Sequence, residues 1–325
     1  MKPQLYHVLF DFSVHKHGGG SSFLELVREE LRVRGIYSEN PLAADVVFFN
    51  SHQSAVSVLK ARRQNTNAVF IQRVDGPMSI YNRPNDPRDN IVKSMGQLAA
   101  DGVIFQSQWS REQSLQLGLS PNLPQQVIPN APDPKLFSPR KRQLNPAGPV
   151  KLIGTNWSPH INKGFASYEW MDEHLDFARF AVTLIGKVPK SYRRISVLPP
   201  MNKQDLRDHL DQADIFLMPS RFEACSNALV EALHLGLPVL AYAGSSNVEL
   251  VTNPAMLYRD EKEIPAKLDY LVAHYDELVG QCRLPSITEV VSRYQTFALS
   301  VNRRPMQARW AIIWQEIRYR ARRLV

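Results

Sequence analysis

The chain has 325 residues, a hydrophobic fraction of 44% and a formal net charge of +8. That length exceeds a typical single core and implies two domains, the composition is that of a globular protein, and no apolar run is long enough to span a bilayer. The basic balance favours anionic partners such as nucleotide phosphates or lipid headgroups; no zinc-ligand cluster, RNA-binding aromatic signature or helix-turn-helix accompanies it, which argues against nucleic acid.

The apolar run Leu5–Phe10 stops at Asp11 and is too short for a signal-peptide core. The expectation is a cytoplasmic protein whose basic surface allows peripheral contact with the inner face of the membrane. Strands are expected at 6–12, 45–50, 68–74, 102–106 and 126–128, with helices at 22–34, 55–63, 91–100 and 109–117. This alternation predicts a mostly parallel sheet covered on both faces. Prolines crowd 130–149 and predict a domain boundary. The alternation then restarts, with strands at 150–154, 180–185, 215–218 and 238–242. Helices are expected at 166–176, 203–212 and 227–235, and a short helix or turn at 248–251. The domains are therefore placed at 1–145 and 146–302, followed by a basic amphipathic helix within 303–325. In that helix Trp310, Ile313, Trp314, Ile317 and Ala321 form an apolar stripe, read as packing on the protein, with a membrane-surface helix as the alternative. The two cysteines, Cys225 and Cys282, give neither a disulfide framework nor metal-ligand spacing. Cys225 has no paired histidine and reads as a small helix-start residue rather than a nucleophile.

The most informative stretch is 219–239, Pro-Ser-Arg-Phe-Glu-Ala-Cys-Ser-Asn-Ala-Leu-Val-Glu-Ala-Leu-His-Leu-Gly-Leu-Pro-Val. Glu223 lies before a helix start and Glu231 on the helix, with seven residues between them. Cys225, Ser226 and Asn227 are expected to present backbone N–H groups at the helix N-terminus, which suits a phosphate. Carboxylates accept hydrogen bonds from sugar hydroxyls. An anion cradle flanked by hydroxyl acceptors describes a nucleotide-sugar site.

Several features together resemble family 4 glycosyltransferases of the GT-B fold. They are the strand 215–218 entered from Asp214, Pro219-Ser220, Glu223, Glu231-Ala232, Gly236-Leu237-Pro238-Val239 and, beyond the Gly244-Ser245-Ser246 loop, Glu249. Lys163-Gly164 is similar to the family's loop after the first strand of the second domain, and Gly18-Gly19-Gly20 to its N-terminal glycine loop. The family commonly carries an arginine after the strand-ending glycine, whereas this chain has Thr155-Asn156-Trp157.

The resemblance implies an α/β protein of two Rossmann-like doubly wound domains facing across a cleft, with a C-terminal helix crossing back to the first. It implies retaining transfer of a sugar from a nucleoside-diphosphate sugar to a hydroxyl of a glycan, lipid-linked or small-molecule acceptor, in glycan, glycolipid or surface polysaccharide synthesis. Glu231 would hold ribose hydroxyls and Glu223 hexose hydroxyls. Lys163 and the amides of Cys225, Ser226 and Asn227 would take the diphosphate, helped by Gly19 and Gly20. The backbone near Met201 would hold the base. Asp75 would face the anomeric carbon, its alternative being a backbone cap in an Asp–Gly turn. His52, Arg73 and Ser107 are acceptor-side candidates. A lysine and a helix N-terminus stabilise the leaving group in this scheme, so no metal and no other cofactor is expected. The other readings are a non-catalytic nucleotide-sugar-binding protein and a nucleotide-sugar epimerase.

Overall fold

The computed structural model describes residues 4–12, 19–119, 122–144, 148–281, 283–305 and 309–322. Gly18, Cys282, Met306, Ala308 and Arg323–Val325 lie outside them. Two compact units emerge, residues 1–130 with 287–325 and residues 131–286.

Unit 1 carries β1 (Tyr6–Leu9), α1 (Gly19–Val33), β2 (Val46–Asn50), α2 (Ala55–Gln64), β3 (Val69–Val74), α3 (Met78–Tyr81), α4 (Pro87–Leu98), β4 (Gly102–Phe105), α5 (Gln108–Gln116) and β5 (Gln125–Val127). Its five strands pair in parallel in the order β1-β2-β3-β4-β5. Strands β1 to β4 are short, mostly apolar runs buried on both faces, the pattern a helix-covered parallel sheet requires. A parallel bridge between Tyr6 and Tyr37 places the segment after α1 outside β1, whereas β2 lies on its other side. The direction of strand addition thus reverses at β1.

Unit 2 carries β6 (Val150–Asn156), α6 (Phe165–His174), β7 (Phe180–Gly186), β8 (Ser196–Leu198), α7 (Lys203–Asp211), β9 (Ile215–Met218), α8 (Asn227–His234), β10 (Val239–Tyr242), α9 (Asn247–Leu250), β11 (Leu257–Tyr258), α10 (Ile264–Ala273) and α11 (Tyr275–Leu278). Its parallel sheet has the order β11-β10-β9-β6-β7-β8. Counted from β6 this is the 3-2-1-4-5-6 order of the Rossmann fold, with the reversal between β6 and β9.

The helices α12 (Ile287–Ser300) and α13 (Arg309–Arg322) return to unit 1. On one sheet face Tyr294 of α12 meets Phe23 of α1 and Phe48 of β2. On the other, Ile312 and Tyr319 of α13 join the core formed by Val47, Phe49, Val58 and Ile91. Neighbouring strand residues point to opposite faces, so Phe48 and Phe49 serve the two layers separately. A Cβ on Gly102 would lie 2.9 Å from Val301 and 3.1 Å from Phe297, so glycine there lets α12 close on β4.

Three sequence expectations change. Residues 287–302 belong with unit 1, because Val290, Val291, Tyr294 and Phe297 are buried. The proline-rich stretch is not a free linker. Phe137 enters the core of unit 2, and Arg142 donates to the carbonyls of Leu235 (2.8 Å) and Ala213 (3.1 Å), so unit 2 begins at Ala131. The C-terminal helix packs on unit 1, but not through the expected stripe. Ile312, Glu316 and Tyr319 are buried, and Trp310, Trp314 and Ile317 face outward.

Local signals set the element ends. Asp86 caps α4, accepting from the Arg88 amide (3.0 Å) and from its guanidinium at 2.8 and 2.7 Å. The Arg88 guanidinium lowers the Asp86 carboxyl from its ordinary 3.8 to about 2. A depressed carboxyl contributes stability that is present above its ordinary value and lost as pH falls through its folded one. Asp86→Ala is therefore expected to cost about 1–2 kcal/mol near neutrality. The deficit relative to wild type should shrink as pH falls from about 4 toward 2, as read by urea unfolding across pH.

Candidate functional site

Ligands of open α/β sheets sit beyond the carboxyl ends of the strands, where strand order reverses. In unit 2 that point lies between β6 and β9. The loop after β6 carries Lys163; the loop after β9 carries Glu223 and leads into α8.

Glycine brings the two loops together. Gly164 has φ 76°, and a Cβ there would lie 2.1 Å from the Pro219 carbonyl oxygen. Only a residue without a side chain permits this approach. The Arg221 amide then donates to the Asn162 carbonyl (2.9 Å), and Lys163 Nζ sits 2.6 Å from Glu223 Oε1. The turn after β10 holds the other side. The Glu223 amide donates to Ser245 Oγ (3.0 Å), and the Glu223 carbonyl accepts from the Ser246 amide (3.2 Å). Ser245 adopts φ 48°, a left-handed conformation uncommon outside glycine. Arg221 is stacked 3.8 Å over Tyr242 and paired with Glu261, and so fixes the loop from below.

The Lys163–Glu223 pair is largely buried, at 19% and 13% side-chain exposure. Desolvating two charges offsets most of their attraction, so such a pair adds little to stability. It does hold a cation and a hydroxyl acceptor side by side at the switch point.

On α8, capped by Ser226, Glu231 is buried and its Oε1 accepts from Lys203 Nζ at 3.2 Å. Burial pushes the Glu231 carboxyl up, and Lys203 opposes that rise. Lys203, at the start of α7, is a site residue that sequence reasoning missed; no motif marks it, only its distance from Glu231. Met201 lies two residues before it, half-buried against the unit 2 core. Cys225 is buried in that core, as a small helix-start residue should be. Glu249 lies exposed on α9.

In unit 1 the reversal falls between β1 and β2. Gly19 and Gly20 open α1, three residues earlier than expected, and a Cβ on Gly20 would lie 3.7 Å from Asn50 Nδ2 at the end of β2. Asn50, Asp75, Gln106 and Asn130 end or follow neighbouring strands and meet in one network around Arg73. The Asp75 carboxylate accepts from Asn50 Nδ2 (2.8 Å), from the Arg73 guanidinium (2.8 Å) and from Gln106 Nε2 (2.7 Å). The Asp75 amide donates to Ser51 Oγ at 2.7 Å. Asp75 is thus no backbone cap of an Asp–Gly turn. Three donors hold the carboxylate in one orientation and make it a fixed negative end of the network.

Two acceptor-side candidates are otherwise engaged. Arg73 is 1% exposed, stacks on Phe23, and bonds Asn50 Oδ1 and Asn130 Oδ1, both at 2.7 Å, so it organises the network from within. Ser107 is the buried N-cap of α5, its Oγ accepting from the Ser110 amide at 3.0 Å. His52 sits half-buried in the turn after β2, between Ser51 (φ 38°) and Ser54 (φ 53°). A shallow concavity adjoins the network, lined by Asp75, Gly76, Asp89 and Lys93 among others.

No described group of histidine, cysteine or carboxylate side chains is arranged to hold a metal ion, and no described helix is long and apolar enough to cross a membrane.

Residues 176–274 match the family model described as glycosyl transferases group 1. The matched segment lies within unit 2 and includes Met201, Lys203, Glu223 and Glu231, but not Lys163. A sequence comparison with curated proteins finds no match. Solved structures share the fold. The sucrose-phosphate synthase of Thermosynechococcus elongatus superposes with a TM-score of 0.66 at 15% identity, covering 92% of this chain and 97% of that one. Anabaena HepE in complex with UDP-glucose gives 0.63 at 13% identity, covering 98% and 99%. The trehalose-6-phosphate synthase OtsA gives 0.58 at 11% identity, covering 88% and 78%. At these identities the likeness is one of fold: two Rossmann-like units of the GT-B type.

Proposed function

We propose that the protein is a glycosyltransferase that moves a sugar from a nucleoside-diphosphate sugar to an acceptor hydroxyl, with retention at the anomeric carbon. The observation that carries this reading is the Lys163–Glu223 pair at the strand-order reversal of unit 2, one helix end away from the buried Glu231. Glu231 accepts from the ribose hydroxyls and Glu223 from the sugar hydroxyls. Lys163 supplies a point charge to the diphosphate, and the N-terminal amides of α8 add their partial positive charge. As the sugar–phosphate bond breaks, negative charge grows on the leaving phosphate. A fixed cation and helix dipole stabilise it there, and this scheme calls for no metal. Lys203 holds Glu231 in place.

Asp75 serves as a preorganised hydrogen-bond acceptor that orients the acceptor hydroxyl. Arg73, Asn50 and Gln106 keep it fixed, and Gly19 and Gly20 leave room for close approach beside Asn50. The basic chain fits an anionic or lipid-linked acceptor in glycan, glycolipid or surface polysaccharide synthesis.

A panel of UDP-, GDP- and ADP-sugars tests the reading by thermal shift, because a ligand that binds only the folded state raises its apparent stability. One nucleotide class should raise Tm, and the product formed from its sugar should keep the donor's anomeric configuration by NMR. No shift with any nucleotide sugar would contradict the proposal. Binding without slow hydrolysis or transfer would favour a non-catalytic binding protein.

A further inference from the structure

Helix α13 uses one face for the fold and leaves another unused. Ile312 and Tyr319 enter the unit 1 core, while Glu316, buried beside them, pairs with Arg63 of α2 (3.3 Å) and with Arg320 (2.6 Å). At 100° per residue, Trp310, Trp314 and Ile317 fall within a sector of about 60° on the opposite side. They are 73%, 70% and 52% exposed. Two tryptophans in water contribute nothing to the core, and a rimmed apolar patch of this kind marks an interaction surface.

Charge identifies the partner. The only acid in α13 is Glu316, on the packed side, whereas Arg318 and Arg320 flank the apolar stripe on either edge. Indole rings favour the headgroup level of a bilayer, and arginine stems run along apolar surface with their charge kept in the polar layer. An apolar stripe edged by arginines on a net-positive chain complements an anionic lipid surface. A second copy docked through the same stripe would set these arginines against each other. We propose that α13 is a membrane-docking helix. Trp310, Trp314 and Ile317 enter the headgroup–acyl boundary of a bilayer rich in anionic phospholipid, and Arg318 contacts the lipid phosphates. The contact is peripheral and reversible, and it stands independently of the catalytic reading.

The test uses the full chain and phosphatidylcholine vesicles with and without phosphatidylglycerol, followed by co-sedimentation and tryptophan emission. Wild type should bind the anionic vesicles with a blue-shifted emission, bind pure phosphatidylcholine far more weakly, and detach as salt is raised. Trp310→Ser/Trp314→Ser should weaken anionic binding by roughly tenfold or more at unchanged Tm. If that variant lowers Tm, Arg318→Glu decides: lost vesicle binding supports the proposal and retained binding overturns it. The proposal is also overturned if wild type ignores anionic vesicles at low salt, or if the folded double variant binds them like wild type. Self-association that the double variant abolishes, without vesicle binding by wild type, would overturn it in favour of a dimer contact.

Discussion

Asp101→Ala is expected to destabilise the protein by about 3–5 kcal/mol, a large part of the ~5–15 kcal/mol that holds a typical domain folded. Asp101 is fully buried and forms a bidentate pair with the buried Arg62, both bonds at 2.9 Å. Its two oxygens also accept from the Phe70 amide and the Arg304 amide, each at 2.8 Å. Arg304 in turn donates to the carbonyls of Gly96 and Ala100. One carboxylate therefore joins α2, β3 and the segment that leads into α13. Removing it strands the Arg62 charge in the core, which costs more than the pair itself is worth. Urea unfolding should show the loss, and limited proteolysis should cut between α12 and α13 more readily than in wild type. The double replacement Arg62→Met/Asp101→Leu should recover part of the stability, because it leaves no unpaired charge behind. A loss below about 1 kcal/mol for the single variant would contradict this account of the tail.

The second large effect is on turnover. Lys163→Ala should lower kcat/KM by roughly 10²–10³-fold, the usual consequence of removing one preorganised electrostatic group from a transition state. Glu223→Gln should lower it by at least roughly tenfold, since the amide accepts a sugar hydroxyl less strongly and leaves Lys163 without its counter-charge. Both variants should lose far less stability than Asp101→Ala, because Lys163 and Glu223 keep 19% and 13% of their side chains exposed and water reaches the charge left unpaired. Wild-type turnover in either would remove that residue from the site. A collapse of Tm in both would make the pair structural.

Much of this was legible in the chain. Short runs such as 46–49 and Ile215–Met218 are apolar throughout, as strands buried on both faces must be, and both parallel sheets follow from them. Ser226 announces the start of α8, and the spacing of Glu223 and Glu231 across it places one acid on each side of the helix tip. What remained hidden depends on contacts between distant residues. Arg73 reads as a free strand-end cation until Asn50, Asp75 and Asn130 are seen to surround it. Lys203 reads as a helix-start lysine until its 3.2 Å contact with Glu231 is known. Helix α13 has two stripes at helical spacing, and periodicity does not say which one packs. The smaller stripe of Ile312 and Tyr319 does so, because Glu316 beside it finds Arg63. The strand β8 was missed for the opposite reason: it is a short, largely exposed edge with little apolar signal.

The proposed donor site in unit 2 holds a nucleotide sugar between Lys163, Glu223 and Glu231. Calorimetric titration of UDP-glucose, or of whichever donor stabilises the protein most, into wild type and Glu231→Gln tests it most directly. Wild type should show one saturable site, and the variant should bind more weakly by roughly tenfold or more at unchanged stability without ligand. Equal affinity in the two proteins would place the nucleotide elsewhere and contradict the proposed site.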